Sequence, residues 1–139
     1  MTEFENEMIA SILWQIKGLR ENEVSQRATK RILRASLRRI SAKHIGSSIE
    51  AEAINLKPSL IDIDHVIPVN VITNMILAQT DINKKSLVVF LGKYHCTAKI
   101  TKQQHTQVLK EAGLSSKMPK DWDSVDLLAR YSRVGIIIK

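Results

Sequence analysis

An α+β fold is predicted by three features of the chain: helical apolar spacing through residues 1–45, short β-branched runs in the second half, and a capped strand-to-helix junction at Thr101. At 139 residues and 15.7 kDa the chain fits one domain with a single substantial core. The expected arrangement is one domain over 1–139. In it, an N-terminal helical hairpin (1–45) packs on a small mixed or antiparallel sheet contributed by an α+β core (46–139).

The first helix is expected from about Phe4 to Leu19, where Phe4, Met8, Ile12, Ile16 and Leu19 recur at threes and fours and Leu13 widens the stripe. Gly18 and the polar Arg20-Glu21-Asn22 break it. A second helix is expected from Glu23 to Lys43, burying Val24, Ala28, Ile32, Leu33, Leu37 and Ile40. Arg27, Lys30, Arg31, Arg34 and Arg38 then crowd another side, repelling one another by about 0.2–0.5 kcal/mol per close pair unless neutralised. Two partners fit that side: a bound polyanion, or the acidic residues of the first helix.

Gly46-Ser47-Ser48 reads as a break, with Ser48 capping a short helix over Ile49–Ile54 that carries Glu50 and Glu52 in its first turn. Lys57-Pro58-Ser59 ends that helix. Leu60–Ile67 is expected as a strand and Val69–Gln79 as a helix burying Val69, Ile72, Met75 and Ile76. The β-branched run Val69–Thr73 leaves strand open as well. Asp81 or Asn83 could cap the next turn. The apolar run Ser86–Leu91 fits either helix or buried strand, because it is too short for periodicity to decide.

Tyr94–Ile100 alternates as a strand should. Thr101 follows as an N-cap, with Gln104 completing a capping box for a helix running to Gly113. His105 therefore sits in the first turns of a helix directly after a strand. Toward the end, Trp122 lies in a polar loop as a core plug or a base-stacking indole, followed by a short helix over Val125–Tyr131 and a strand over Gly135–Ile138.

Composition narrows the function classes. The formal net charge of +7 favours polyanionic partners, and it is local: from Val24 to Ile45 there are seven Lys or Arg and no Asp or Glu. The lone Cys96 excludes an intrachain disulfide and a multi-cysteine zinc knuckle, and is expected as a core thiol in a reducing compartment. No apolar run reaches membrane-spanning length and the first residues are acidic, so the expectation is a cytoplasmic protein. No glycine-rich phosphate loop, internal repeat or serine-nucleophile motif is present.

Chemistry concentrates in Asp62-Ile63-Asp64-His65-Val66-Ile67-Pro68, with two carboxylates and an imidazole in four positions. On a strand, Asp62 and Asp64 share one face and His65 takes the other. The three cannot converge on one ion unless the strand ends or bends, which Pro68 encourages. Asp64 and His65 form the better functional pair.

Asp64-His65-Val66-Ile67-Pro68 resembles the opening element of the HNH, or ββα-metal, nuclease superfamily. Ile100-Thr101-Lys102-Gln103-Gln104-His105 resembles the strand-to-helix junction that supplies its late histidine. The stretch from Cys96 through Gly135, with Ala112-Gly113-Leu114, Lys117-Met118-Pro119, Trp122-Asp123, Ala129-Arg130-Tyr131 and Gly135-Ile136, also resembles a group of small uncharacterised bacterial or phage-borne proteins.

The superfamily resemblance implies a ββα-metal-like core and a metal-dependent endonuclease acting on DNA with little sequence specificity. His65 matches the general base, while Asp64 and His105 match the metal ligands. Asn83 matches the middle asparagine by order, with Asn74 second. Mg²⁺ or another divalent cation is the implied cofactor, since a carboxylate, an imidazole, a phosphate oxygen and waters make a workable shell. A histidine, whose ordinary pKa is about 6.5, can take a proton from water at neutral pH.

The absence of zinc-knuckle cysteines and the long spacing from His65 to His105 depart from the superfamily pattern. They leave a degenerate site that binds without cutting as the alternative. The Arg27–Arg38 face would hold DNA, or RNA, by its phosphates. A regulatory protein-interaction module is the competing class, and the wide stripe of the first helix also suits a homodimer.

Overall fold

The computed structural model describes all of residues 1–139 and is α+β, with a small open three-stranded mixed sheet. It divides into two compact units, one of residues 1–42 and 69–93 and the other of residues 43–68 and 94–139. Residues 69–93 thus group with the N-terminal helices, so the division follows no single cut in the sequence.

The first unit is helical. Its α1 (Glu3–Arg20) starts at a Thr2–Glu5 capping box and buries Ile9, Ile12 and Ile16. Phe4, expected inside, is exposed at the end of the stripe, and Trp14 is 70% exposed with Lys17 Nζ 5.9 Å from its ring centroid. Asn22, at φ 58°, turns the chain. Helix α2 (Gln26–Arg39) opens at Ser25, whose side chain accepts the Ala28 amide at 3.1 Å.

Helix α2 is shorter at both ends than the Glu23–Lys43 expectation, because Ser25 offers a better cap than Glu23 and Ile40 is already extended. It packs against α1, giving the hairpin, and against α4 (Val69–Leu77). Its buried line is Thr29, Leu33, Ser36 and Leu37, continued by Ile40. Ala28 is exposed, since the five cations pull the solvated side toward it.

Helix α4 buries Val69, Ile72, Thr73 and Ile76, with Met75 only half-buried. Thr73 Oγ1 donates to the Val69 carbonyl at 2.8 Å, which satisfies a buried hydroxyl inside the helix. The ambiguous run Ser86–Leu91 is helical, within α5 (Lys84–Tyr94). Asn83 starts that helix: its Oδ1 accepts the Ser86 amide at 3.0 Å, and its own amide donates to Ser86 Oγ at 2.9 Å.

The second unit holds the sheet, ordered β1-β3-β2. Strand β1 (Lys43–Ser47) occupies the segment expected as helix end and break. Gly46 makes this strand workable: at φ +144° it lies where the register shifts between His44 and Ser47. A side chain there would stand 2.0 Å from the Lys139 carbonyl oxygen. The expected terminal strand is reduced to one bridge, Ser48 with Ile138, supported by Ser47–Lys139 and Ile49–Ile137 backbone bonds.

Ser48 caps α3 (Ile49–Ala53) as expected, accepting the Ala51 amide at 3.0 Å. A 3-10 turn over Pro58–Leu60 leads into β2 (Ile61–His65), which pairs antiparallel with β3 (Cys96–Thr101), while β1 pairs parallel with β3. The alternation of β3 buries Cys96, Ala98 and Ile100 in a core completed by Val66, Leu109, Leu114, Tyr131 and Ile136. Cys96 is the core thiol expected of it, and burial raises its pKa.

The helix after β3 begins at Thr101, whose capping box with Gln104 is complete: Gln104 N to Thr101 Oγ1 is 3.0 Å and Thr101 N to Gln104 Oε1 is 2.9 Å. It includes a π-helical turn, Gln104–Val108, before α6 (Leu109–Glu111). Gly113, at φ +72°, ends it with the Leu114-to-Leu109 and Gly113-to-Lys110 bonds of a Schellman motif. The last helix, α7 (Ala129–Arg133), starts later than the expected Val125 because Asp123 accepts the Val125 and Asp126 amides in a turn of its own. Trp122 is half-buried and donates its indole N–H to the Asp126 carbonyl at 2.8 Å.

Candidate functional site

Strand alternation decides which of the acidic and histidine residues meet. Asp62 pairs in register with Ile100 and Asp64 with Ala98, both core residues of β3, so the two carboxylates sit on the core side of β2. Ile63, paired with Lys99, is 66% exposed on the other side. His65 pairs with Thr97 and follows Ile63 by alternation, and its ring lies 5.4 Å from the ring of His95. The set that gathers is therefore Asp62, Asp64 and His105, with His65 on the opposite face of the strand.

His105 reaches that set from the π turn. Its Nδ1 is 2.9 Å from Asp62 Oδ2, and its Nε2 is 3.8 Å from Asp64 Oδ1. The first distance is a hydrogen bond and the second is beyond one. The adjacent Gln104 serves different partners: Ser48 Oγ donates to its Oε1 at 2.8 Å, and its Nε2 donates to Glu50 Oε2 at 2.9 Å. Neighbouring residues on one turn are thus fixed to two different parts of the unit. Single π turns inside helices recur at functional positions.

Asp64 is held from behind by the last helix. Arg130, with no exposed surface, pairs its guanidinium with Asp64 Oδ2, and Tyr131 donates its hydroxyl to the same oxygen at 2.6 Å. Arg130 also donates to the carbonyls of His65 at 2.8 Å, Leu114 at 2.9 Å and Ser115 at 3.1 Å. Burial first, and the Asp64 carboxylate second, raise the Tyr131 phenol well above its ordinary pKa, so it is a committed donor. Both donors take Oδ2, which leaves Oδ1 facing His105.

The two facing atoms fit one cation in span, since ligands each about 2.1 Å from an ion can lie 3.8 Å apart. They are only two, and no group of three or more His, Cys, Asp or Glu is arranged to hold a metal. The remaining positions of such a shell would fall to water and phosphate oxygens.

Asn83 and Asn74 belong to the helical unit. There Asn83 spends its side chain on the α5 cap and Asn74 is exposed on α4, so neither enters the hydrogen-bonded set around Asp64. Arg27, Arg31 and Arg38 are exposed on α2, with Lys30 and Arg34 half-buried. The ion pairs of the molecule join His105, Arg130 and Arg133 to Asp62, Asp64 and Asp121. None involves a cation of α2, so no acidic residue of α1 is ion-paired with that stripe.

Sequence reasoning missed Arg130 and Tyr131 as builders of the site, although the Ala129-Arg130-Tyr131 string had marked itself out. An arginine beside an aromatic in a predicted helix gives no local sign of a carboxylate partner some sixty-five residues away. Asp62 had been recognised as sharing a face with Asp64 but was given no role. Comparison with protein-family models, with curated proteins and with solved structures yields no match to this chain.

Proposed function

We propose that the protein binds nucleic acid, DNA first and RNA second, through its backbone phosphates, with the exposed stripe of α2 as the contact surface. The observation that carries this is the uncompensated charge of Arg27, Lys30, Arg31, Arg34 and Arg38, none of which has a carboxylate partner. Steps of three and four residues align Arg27, Arg31, Arg34 and Arg38 over about 16 Å of helix, long enough to follow several phosphates. Contacts to backbone phosphates carry no sequence information, so binding through them should be largely indifferent to sequence.

Reversing Arg31 and Arg34 to Glu tests the surface by fluorescence anisotropy on unrelated DNA duplexes. Affinity should fall on all of them, and the salt dependence should flatten by about one unit of log–log slope per lost phosphate contact. Unchanged affinity and slope would remove α2 from the interface and favour a protein-docking role for the basic helix.

A second reading, metal-dependent hydrolysis of DNA phosphodiester bonds, is favoured by the facing of Asp64 Oδ1 and His105 Nε2. The strands β2 and β3 pair antiparallel and a helix follows β3, although α4 and α5 lie between the two strands in the chain, where a compact ββα unit has only a short connection. In that reading Asp64 and His105 hold a divalent cation such as Mg²⁺, which would neutralise charge on the phosphate and lower the pKa of water. Tyr131 and Arg130 keep the Asp64 carboxylate turned toward His105. The His65 imidazole, on the opposite face of β2, would accept the proton of the attacking water only if the strand end bends toward the cation, which is what His65→Ala tests.

Plasmid and single-stranded substrates assayed with and without Mg²⁺ or Mn²⁺ decide between binding alone and cutting. Metal-stimulated cleavage abolished by His105→Ala and His65→Ala supports hydrolysis. Cleavage that survives His65→Ala removes that base, and no cleavage leaves a binding protein.

A further inference from the structure

We infer that Asp62 is a positioning residue for His105: it holds the ring proton on Nδ1, so that Nε2 presents its lone pair toward Asp64. This deepens the hydrolytic reading and rests on it for its purpose, though not for its geometry. The distances decide where the proton sits. Nδ1 lies 2.9 Å from Asp62 Oδ2, within hydrogen-bond range, whereas Nε2 lies 3.8 Å from Asp64 Oδ1, outside it. A neutral imidazole has one N–H to give, and only Asp62 is placed to accept it.

Asp64 has a different pair of donors, Arg130 and Tyr131, both on Oδ2. Its Oδ1 is turned to a nitrogen that brings no proton. With the ring neutral, two acceptors face each other at 3.8 Å on the rim of a core, an arrangement that a second proton or a metal cation would complete. A carboxylate behind the far nitrogen of a histidine is the usual support for a metal-ligating imidazole, because it fixes the ring and raises its basicity. The half-exposed Asp62 is accessible enough to be replaced without opening the core.

The test begins without metal. Two-bond ¹H–¹⁵N correlation spectra of the full chain at pH 9, where an imidazole is neutral, read the tautomer of His105 directly, with His105→Gln assigning the signal. The expected result is Nδ1–H in the parent protein and a shift to Nε2–H in Asp62→Ala, where Asp64 becomes the remaining acceptor. Asp62→Glu should restore Nδ1–H, which a merely structural role would not do. Nε2–H in the parent, or the same tautomer in the parent and in Asp62→Ala, overturns the inference.

Thermal melts identify a variant that does not fold, in which case the parent tautomer together with Asp62→Ser decides. Mn²⁺ titration followed by electron paramagnetic resonance is the separate arm. Asp62→Ala should weaken Mn²⁺ binding by about tenfold or more. If the parent binds no Mn²⁺ at a site that His105→Gln removes, the hydrolytic reading fails, while the tautomer spectra still decide the role of Asp62.

Discussion

The two compact units handle charge in opposite ways. In the helical unit, α2 places five cations on one side, none of them ion-paired with a carboxylate. In the sheet unit, Arg130 and Asp64 are almost wholly buried and bonded to each other, to Tyr131 and to three carbonyls, with only Arg130 Nε left without an acceptor. A solvated charge without a partner adds little to stability and is free to bind, whereas a buried charge is kept only where its partners are complete. The contrast separates residues whose change should affect binding with little effect on stability from residues whose change should cost stability.

The most disruptive way to probe that contrast is Arg130→Leu. It leaves the Asp64 carboxylate buried without its cation and should lower unfolding free energy by about 3–5 kcal/mol in urea denaturation. Adding Asp64→Leu to the same chain should recover part of the loss, because an apolar pair of similar volume no longer demands solvation. A loss below 1 kcal/mol for Arg130→Leu alone would mean that water reaches Asp64 and that the buried network is not the support of β2.

Tyr131→Phe removes one donor from Asp64 and should cost about 1.5–3 kcal/mol, the range for a hydrogen bond to a charged group. The same substitution tests the alkaline limit. Because the folded phenol titrates above its ordinary value of 10.0, its contribution is complete below pH 10 and is lost as pH rises beyond that point. The parent chain should therefore lose stability more steeply above pH 10 than Tyr131→Phe does. Parallel curves would place Tyr131 in contact with solvent.

At the other end of the scale, Arg31→Glu with Arg34→Glu should change stability by less than about 0.5 kcal/mol while reducing nucleic-acid affinity. A large destabilisation would instead assign the stripe a folding role. Cys96 supplies the smallest expected signal: with its thiol in the core and its pKa raised by burial, reaction with a thiol reagent should be slow and should track unfolding.

What could be read from the sequence was local. Ser48 before Ile49–Ala53, and Thr101 with Gln104, announce their helices because each cap and its amide lie three residues apart. The face shared by Asp62 and Asp64 followed from strand alternation alone. What could not be read depended on distance along the chain. Strand β1 was hidden because Gly46-Ser47-Ser48 has the composition of a break, and it becomes a strand only through its parallel pairing with the distant β3, with Ser47 also bonded to Lys139. Arg130 was hidden because its carboxylate is supplied by β2. Ser86–Leu91 was ambiguous because burial, and not periodicity, separates a short helix from a strand.

The pairing of β2 with β3 has a consequence for how the sheet forms. Antiparallel neighbours usually inherit their register from a tight turn, but here residues 66–96 lie between His65 and its partner Thr97. No hairpin sets the alignment, so it rests on the inward side chains of β3 and on the anchoring of Asp64 by α7. A slip of one residue would carry Asp62 and Asp64 to the outer face and leave Arg130 facing Ile63. Loop closure must precede any reward from this pairing, which makes the sheet slow to assemble relative to the helical hairpin. The amides of β3 should accordingly gain protection from hydrogen exchange after those of α1 and α2 during refolding.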